Sequence, residues 1–134
     1  MKKRLMLVLI AVIAFDFAIT LLGQPSSYWR DPHTAREGNP LFAWFMVRGL
    51  SWYLPCIFGY TAGVVYLVKS LPRRAGLTTG LAFLLAHYFA GCTWLLLRFD
   101  FGMTGPAVYA IALSVAVVSV VQSAVPTTCL DKTA

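Results

Sequence analysis

Long apolar runs separated by short polar breaks set the pattern of this chain. Four stretches, 5–22, 41–69, 77–97 and 106–123, are apolar and long enough to cross a bilayer, which takes about 20 residues per helix. Gly23, Gln24, Pro25, Ser26 and Ser27 end the first run with turn chemistry, and a polar loop carries the chain on to Pro40. Tyr28 and Trp29 in that loop suit the aromatic belt at a membrane surface, and His33 reads as a solvated loop residue. Asn39 and Pro40 predict the start of the second helix: the asparagine oxygen accepts from the free amides of the first turn, and proline sacrifices no useful donor there. The second run exceeds what a bilayer needs, so either 41–44 lies in the interface or Gly49 and Pro55 kink the helix. Lys69-Ser70-Leu71-Pro72-Arg73-Arg74 forms a tight basic turn, and Arg98 and Asp100 close the third run as interfacial charges. The expectation is an all-α polytopic membrane protein, a four-transmembrane-helix bundle forming one integral membrane domain over residues 1–134.

Composition agrees with this reading. Hydrophobic residues make up 59% of the 134 and charged residues 12%, against about 25% charged in soluble domains. The net charge of +6 does not point to nucleic acid, because the basic residues flank apolar runs and form no stripe interleaved with aromatics. Their distribution gives an orientation instead. Lys2, Lys3, Arg4, Lys69, Arg73, Arg74 and Lys132 fall on one side, and Arg30, Arg36, Arg48 and Arg98 on the other with the acidic Asp31, Glu37 and Asp100. That balance predicts both termini in the cytoplasm, N-in and C-in, in a bacterial inner membrane. The basic start followed by an apolar run imitates a signal peptide, but Asp16 interrupts the run and no A-x-A cleavage site follows, which predicts a retained helix. Cys56, Cys92 and Cys129 lack metal or disulfide spacing and read as small buried residues.

Small residues mark where helices approach one another. Gly59 and Gly63 form one G-x-x-x-G, Gly76 and Gly80 a second, and Ala112, Ala116, Ser119 and Ser123 share a face of the last run. Such spacings let backbones pack closely where lipid provides no hydrophobic drive, within the bundle or against partner subunits.

Asp16 breaks the apolar monotony, since a carboxylate at that depth costs several kcal/mol unless compensated. Thr20 lies one turn on along the same face. Arg48 stands eight residues past Pro40, where an antiparallel second helix would bring it to the depth of Asp16. A structural cluster of Asp16, Thr20 and Arg48 would then lock the first two spans, the rival being a proton carrier, metal ligand or general base at Asp16. Glu37 either caps the second helix or folds inward over the bundle mouth. In the latter case Asp16, Glu37 and His87 form a carboxylate and imidazole set suited to a divalent metal or to protons. His87 otherwise reads as a hydrogen-bonded packing residue bound to a Thr or Tyr. At 1.5 Å of rise per residue from the outer ends of their spans, His87 is roughly 15 Å deep and Asp16 roughly 9 Å, so bridging them needs tilt or a water. Tyr53, Tyr60, Tyr66, Trp44 and Trp52 read as belt and core aromatics, and no hydrolase, zinc-protease or phosphate-loop motif occurs.

With D-x-x-x-T at Asp16 and Thr20, and E-x-N-P at Glu37, Asn39 and Pro40, the chain resembles a family of short bacterial and archaeal membrane proteins known only as a domain of unknown function. The resemblance covers residues 5–69 by motif and the last two spans by layout. It implies a small four-helix membrane protein and names no reaction.

Three functions follow as expectations. Small size and little extramembrane mass favour a non-catalytic accessory or scaffold subunit of a larger inner-membrane complex, held by lipid and partner helices. The alternative is a metal- or proton-binding enzyme or transport protein using Asp16, Glu37 and His87. A homo-oligomeric channel is a third.

Overall fold

The structure, a computed structural model, describes residues 2–99 and 102–122; Asp100, Ser123, Cys129 and Lys132 lie outside the described residues. The described residues form five α-helices and no strand: α1 (Lys2–Leu22), α2 (Pro40–Met46), α3 (Leu50–Ser70), α4 (Arg73–Arg98) and α5 (Thr104–Gln122), with a 3-10 turn at Pro32–Thr34. α1, α3, α4 and α5 are long and apolar enough to cross a membrane. The protein is an all-α bundle with four candidate spans.

The apolar run 41–69 is two helices, not one. Gly49 adopts φ 93° and ψ 172°, a backbone conformation that side-chain-bearing residues avoid, and the chain turns there between α2 and α3. Pro55 lies inside α3 without ending it. A proline this close to the helix start forfeits one backbone bond, to the carbonyl four residues earlier, and the helix continues.

α1 is the central helix and packs most extensively against α4. Its inward face carries Leu5, Leu9, Val12, Ile13 and Phe17, all buried, at helical spacings. Close approaches fix the register of α1 and α4. A Cβ on Gly80 would lie 2.8 Å from Leu5 Cδ2, one on Gly91 3.4 Å from Ile19 Cδ1, and one on Gly23 2.7 Å from Trp94 Cε3. Contacts advance along both helices together, so α1 and α4 run parallel. Gly76 meets the Val68 carbonyl of α3 at a would-be Cβ distance of 2.6 Å, so the Gly76/Gly80 pair seats α4 against both neighbours. At Gly59 and Gly63 a Cβ would meet nothing within 4 Å among the described residues; that pair faces outward.

Candidate functional site

The parallel register brings Asp16 and His87 to one level. Gly23 and Trp94 touch, and each lies seven residues beyond its partner in the pair, Asp16 on α1 and His87 on α4. Asp16 Oδ2 and His87 Nδ1 are 2.7 Å apart, and His87 Nε2 is 2.9 Å from the Tyr60 hydroxyl on α3. With Asp16 ionised, the imidazole Nδ1–H donates to the carboxylate and the tyrosine hydroxyl donates to Nε2, a linear chain across three helices. Asp16 and His87 are 5% and 7% exposed, deep enough that each depends on the other for solvation. No tilt is needed to join them. Counting depth from the helix ends fails because α4 continues past the level of Gly23 as far as Arg98, so the ends do not share a plane.

Arg48 is elsewhere. It sits at the exposed corner made by Gly49, where Nη1 donates to the Trp44 carbonyl at 2.6 Å and the guanidinium lies 3.4 Å above the Trp44 ring. The expected Asp16–Arg48 pair is thus replaced by Asp16–His87. The reason is topological: the turn at Gly49 directs Arg48 outward, while the helix most fully packed on α1 is α4. Thr20 is buried beside Asp16 but makes no hydrogen bond to Asp16 Oδ1, which has no hydrogen-bond partner among the described residues.

A buried glutamine shapes the mouth of the site. Gln24 Nε2 donates to the Thr20 carbonyl at 3.0 Å and to the Arg36 carbonyl at 2.8 Å, while its Oε1 accepts from Arg36 N–H at 2.7 Å. This clamp pins the far end of the α1–α2 connection to the end of α1 and delivers Glu37 over the bundle. Glu37 Oε1 then accepts from Asn39 N–H at 2.7 Å, and Asn39 Oδ1 caps α2 by accepting from Leu41 N–H at 3.0 Å, with Pro40 at the first helical position. Burial raises the Glu37 pKa above its ordinary value; the Asp16 carboxylate adds to the rise, and the Asn39 and Gly38 amides oppose it. His33, in the same connection, is exposed on the 3-10 turn, where its N–H donates to Asp31 Oδ1.

These side chains enclose a cavity of about 180 Å³ with Asp16, Thr20, Glu37, Asn39, Tyr60 and His87 in its wall and Phe17, Phe42 and Trp94 completing it. At about 30 Å³ per water-sized group, it has room for about six such groups. A wider recess of about 550 Å³ shares Glu37, Asn39, Ala90 and Trp94 with it and carries Arg36 and Arg98 at its rim. The bundle, though small, leaves space for a ligand.

The metal reading fares differently. Among the described residues no three His, Cys, Asp or Glu side chains are close enough to hold a metal ion, so Asp16, Glu37 and His87 line one cavity without forming a ligand set. Both imidazole nitrogens are already engaged. The expected hydrogen bond of His87 to a Thr or Tyr is made with Tyr60; the sequence pattern singles out neither that tyrosine nor Gln24. Tyr60 was indistinguishable from the other span aromatics, and Gln24 looked like ordinary turn chemistry; its one signal was a long amide side chain immediately after an apolar helix. Comparison with protein-family models, curated proteins and solved structures finds no match, so the reading of the site rests on its own residues.

Proposed function

We propose that this chain is a membrane-embedded binding protein of the transport or enzyme class, which takes a small cationic group into the Asp16 cavity and exchanges protons with it. The observation that carries this reading is the cavity itself, which gathers two carboxyl side chains, Asp16 and Glu37, with the rings of Phe17, Phe42, Tyr60 and Trp94 in one wall. Asp16 Oδ2 is held by His87, and Oδ1 is buried without a hydrogen-bond partner among the described residues. Two carboxylates supply negative charge, and the rings of Phe17, Phe42, Tyr60 and Trp94 offer faces that attract cations. Glu37, at the mouth, accepts or releases the first proton, and the Asp16–His87–Tyr60 chain redistributes it inside.

The balance of Lys and Arg supports an orientation in which the cavity opens to the non-cytoplasmic side of a bacterial inner membrane. Calorimetric titration of the purified protein with methylammonium, in buffers of different ionisation enthalpy, tests the proposal. Saturable binding with proton release, lost in Asp16→Asn, is the expected result. A folded parent protein that neither binds methylammonium nor releases protons overturns it.

A scaffold role is the second reading, favoured by the outward Gly59/Gly63 strip on α3, a smooth surface for another helix. Gly59→Leu with Gly63→Leu would release a partner subunit from the native membrane complex if that role holds, and would leave the protein's associations unchanged if it does not.

A further inference from the structure

The wider recess beside the Asp16 cavity is rich in donors. Arg36 reaches it from the α1–α2 connection and Arg98 from the last turn of α4, and among the described residues neither guanidinium lies within 4 Å of a carboxylate. The Gln24 clamp holds Arg36 through both of its backbone groups, and Arg98 lies 5.7 Å from the Trp94 ring centroid. Asn39 adds an amide, since its oxygen caps α2 and its NH2 is left to donate. Glu37 is the one acid in this wall, and its Oε1 is engaged by Asn39 N–H. From the cationic end, Leu97, Trp94 and Ala90 follow one face of α4 back into its apolar body, at spacings of three and four, with Leu97 73% exposed. α4 is long and apolar enough to cross a membrane, which puts Arg98 at the level of the headgroups and this strip beside the acyl chains. We infer that the recess binds an anionic phospholipid, with its phosphate between Arg36 and Arg98 and an acyl chain along Leu97, Trp94 and Ala90, and that Glu37 takes up a proton when the lipid binds.

The inference does not rest on the cation-binding reading above, since Asp16 holds no part of this ligand. Guanidiniums suit phosphate by their planar, forked donors. Two arginines against one glutamate leave the wall with one net positive charge when Glu37 is ionised and two when it is protonated. A phosphate brought into the same recess repels the Glu37 carboxylate and so favours its neutral form. Burial has already raised the Glu37 pKa, which makes that proton easier to acquire than at an exposed glutamate. The other titratable or charged groups facing Glu37 are Asp16 on α1, Tyr53 and Tyr60 on α3, His87 and Arg98 on α4, and Arg36 in its own connection; α2 brings none. Lipid affinity is therefore full below the Glu37 pKa of the empty recess, falls as pH rises through it, and levels off above the higher value of the occupied one.

The test uses the full chain in nanodiscs of mixed phosphatidylglycerol and phosphatidylcholine, with retained lipid identified by native mass spectrometry. Phosphatidylglycerol should be enriched about tenfold over phosphatidylcholine at mildly acidic pH, the ratio that one charge-assisted hydrogen bond supplies, and less at mildly alkaline pH. The phosphodiester keeps its single charge between the two conditions, so the change reports the protein. Arg36→Gln with Arg98→Gln, both exposed positions, should abolish the enrichment at either pH. Glu37→Gln, which retains an acceptor for Asn39 N–H, should hold the higher enrichment at both. Soluble glycerol phosphate is titrated in parallel and should fail to displace the lipid; if it binds while no lipid is enriched, the ligand comes from the aqueous phase and the lipid assignment is overturned. Retention of the two lipids at their bulk ratio, or an enrichment that survives loss of both arginines, overturns the site. An enrichment that keeps its pH dependence in Glu37→Gln overturns the proton link. Methylammonium titration of the same proteins decides the cation-binding reading separately.

Discussion

Gly23 seats against Trp94 so closely that a Cβ would lie 2.7 Å from Cε3 and 3.0 Å from Cζ3 of the ring. This contact sets the level of α1 against α4, and the Asp16–His87 hydrogen bond follows from it seven residues below. Gly23→Ala forces the indole to move, at a cost of about 1–3 kcal/mol for overpacking. It should also weaken methylammonium binding although Gly23 does not line the cavity. Stability by steric trapping and affinity by calorimetry check the two effects, and an unchanged affinity would separate the register from the site.

The Asp16–His87 pair should behave as one unit. Asp16→Leu or His87→Leu alone strands a polar partner in the bundle and is expected to cost about 3–5 kcal/mol, whereas the double substitution costs less than the sum. A double-mutant cycle in bicelles measures the coupling. Additive losses would mean that the two side chains do not interact in the membrane.

Arg48 provides the contrast. Its contacts are the Trp44 carbonyl and ring at the bundle's surface, so Arg48→Gln should cost under about 1 kcal/mol and leave cation binding at Asp16 intact. A loss of binding in this variant would restore Arg48 to the site.

Glu37 gives a pH signature. Its folded-state pKa is raised, chiefly by burial and then by Asp16, so its ionisation opposes the fold. The penalty is absent below the unfolded glutamate value and grows as pH rises through the folded one. Glu37→Gln keeps an oxygen to accept from Asn39 N–H and removes the charge. The variant's stability relative to the parent should therefore rise across that window and then level off, as followed by unfolding at a series of pH values. Arg36 and Arg98 are present in both proteins, so the difference reports the Glu37 charge together with its coupling to Asp16.

The spans were legible because length and apolarity alone define them, and the polar residues stood out for the same reason. Their partners were not. Neighbours in sequence are expected to pack antiparallel, which paired Asp16 with Arg48; the main interface of α1 is instead parallel and formed with α4, far along the chain. Gly59/Gly63 and Gly76/Gly80 look alike as motifs, yet only the second pair meets another helix, because facing depends on the rotation of each helix about its axis. The turn at Gly49 was one of two readings of an overlong run, and what decides it is a positive φ that no hydrophobic pattern encodes.

The most direct test is an isotope-edited infrared spectrum of the Asp16 carboxyl group, recorded with and without methylammonium and assigned by its loss in Asp16→Asn. Occupation of the cavity should shift the Asp16 band, and His87→Gln should change the starting position of that band. A band that stays fixed while methylammonium saturates the protein would place the cation elsewhere and contradict the account.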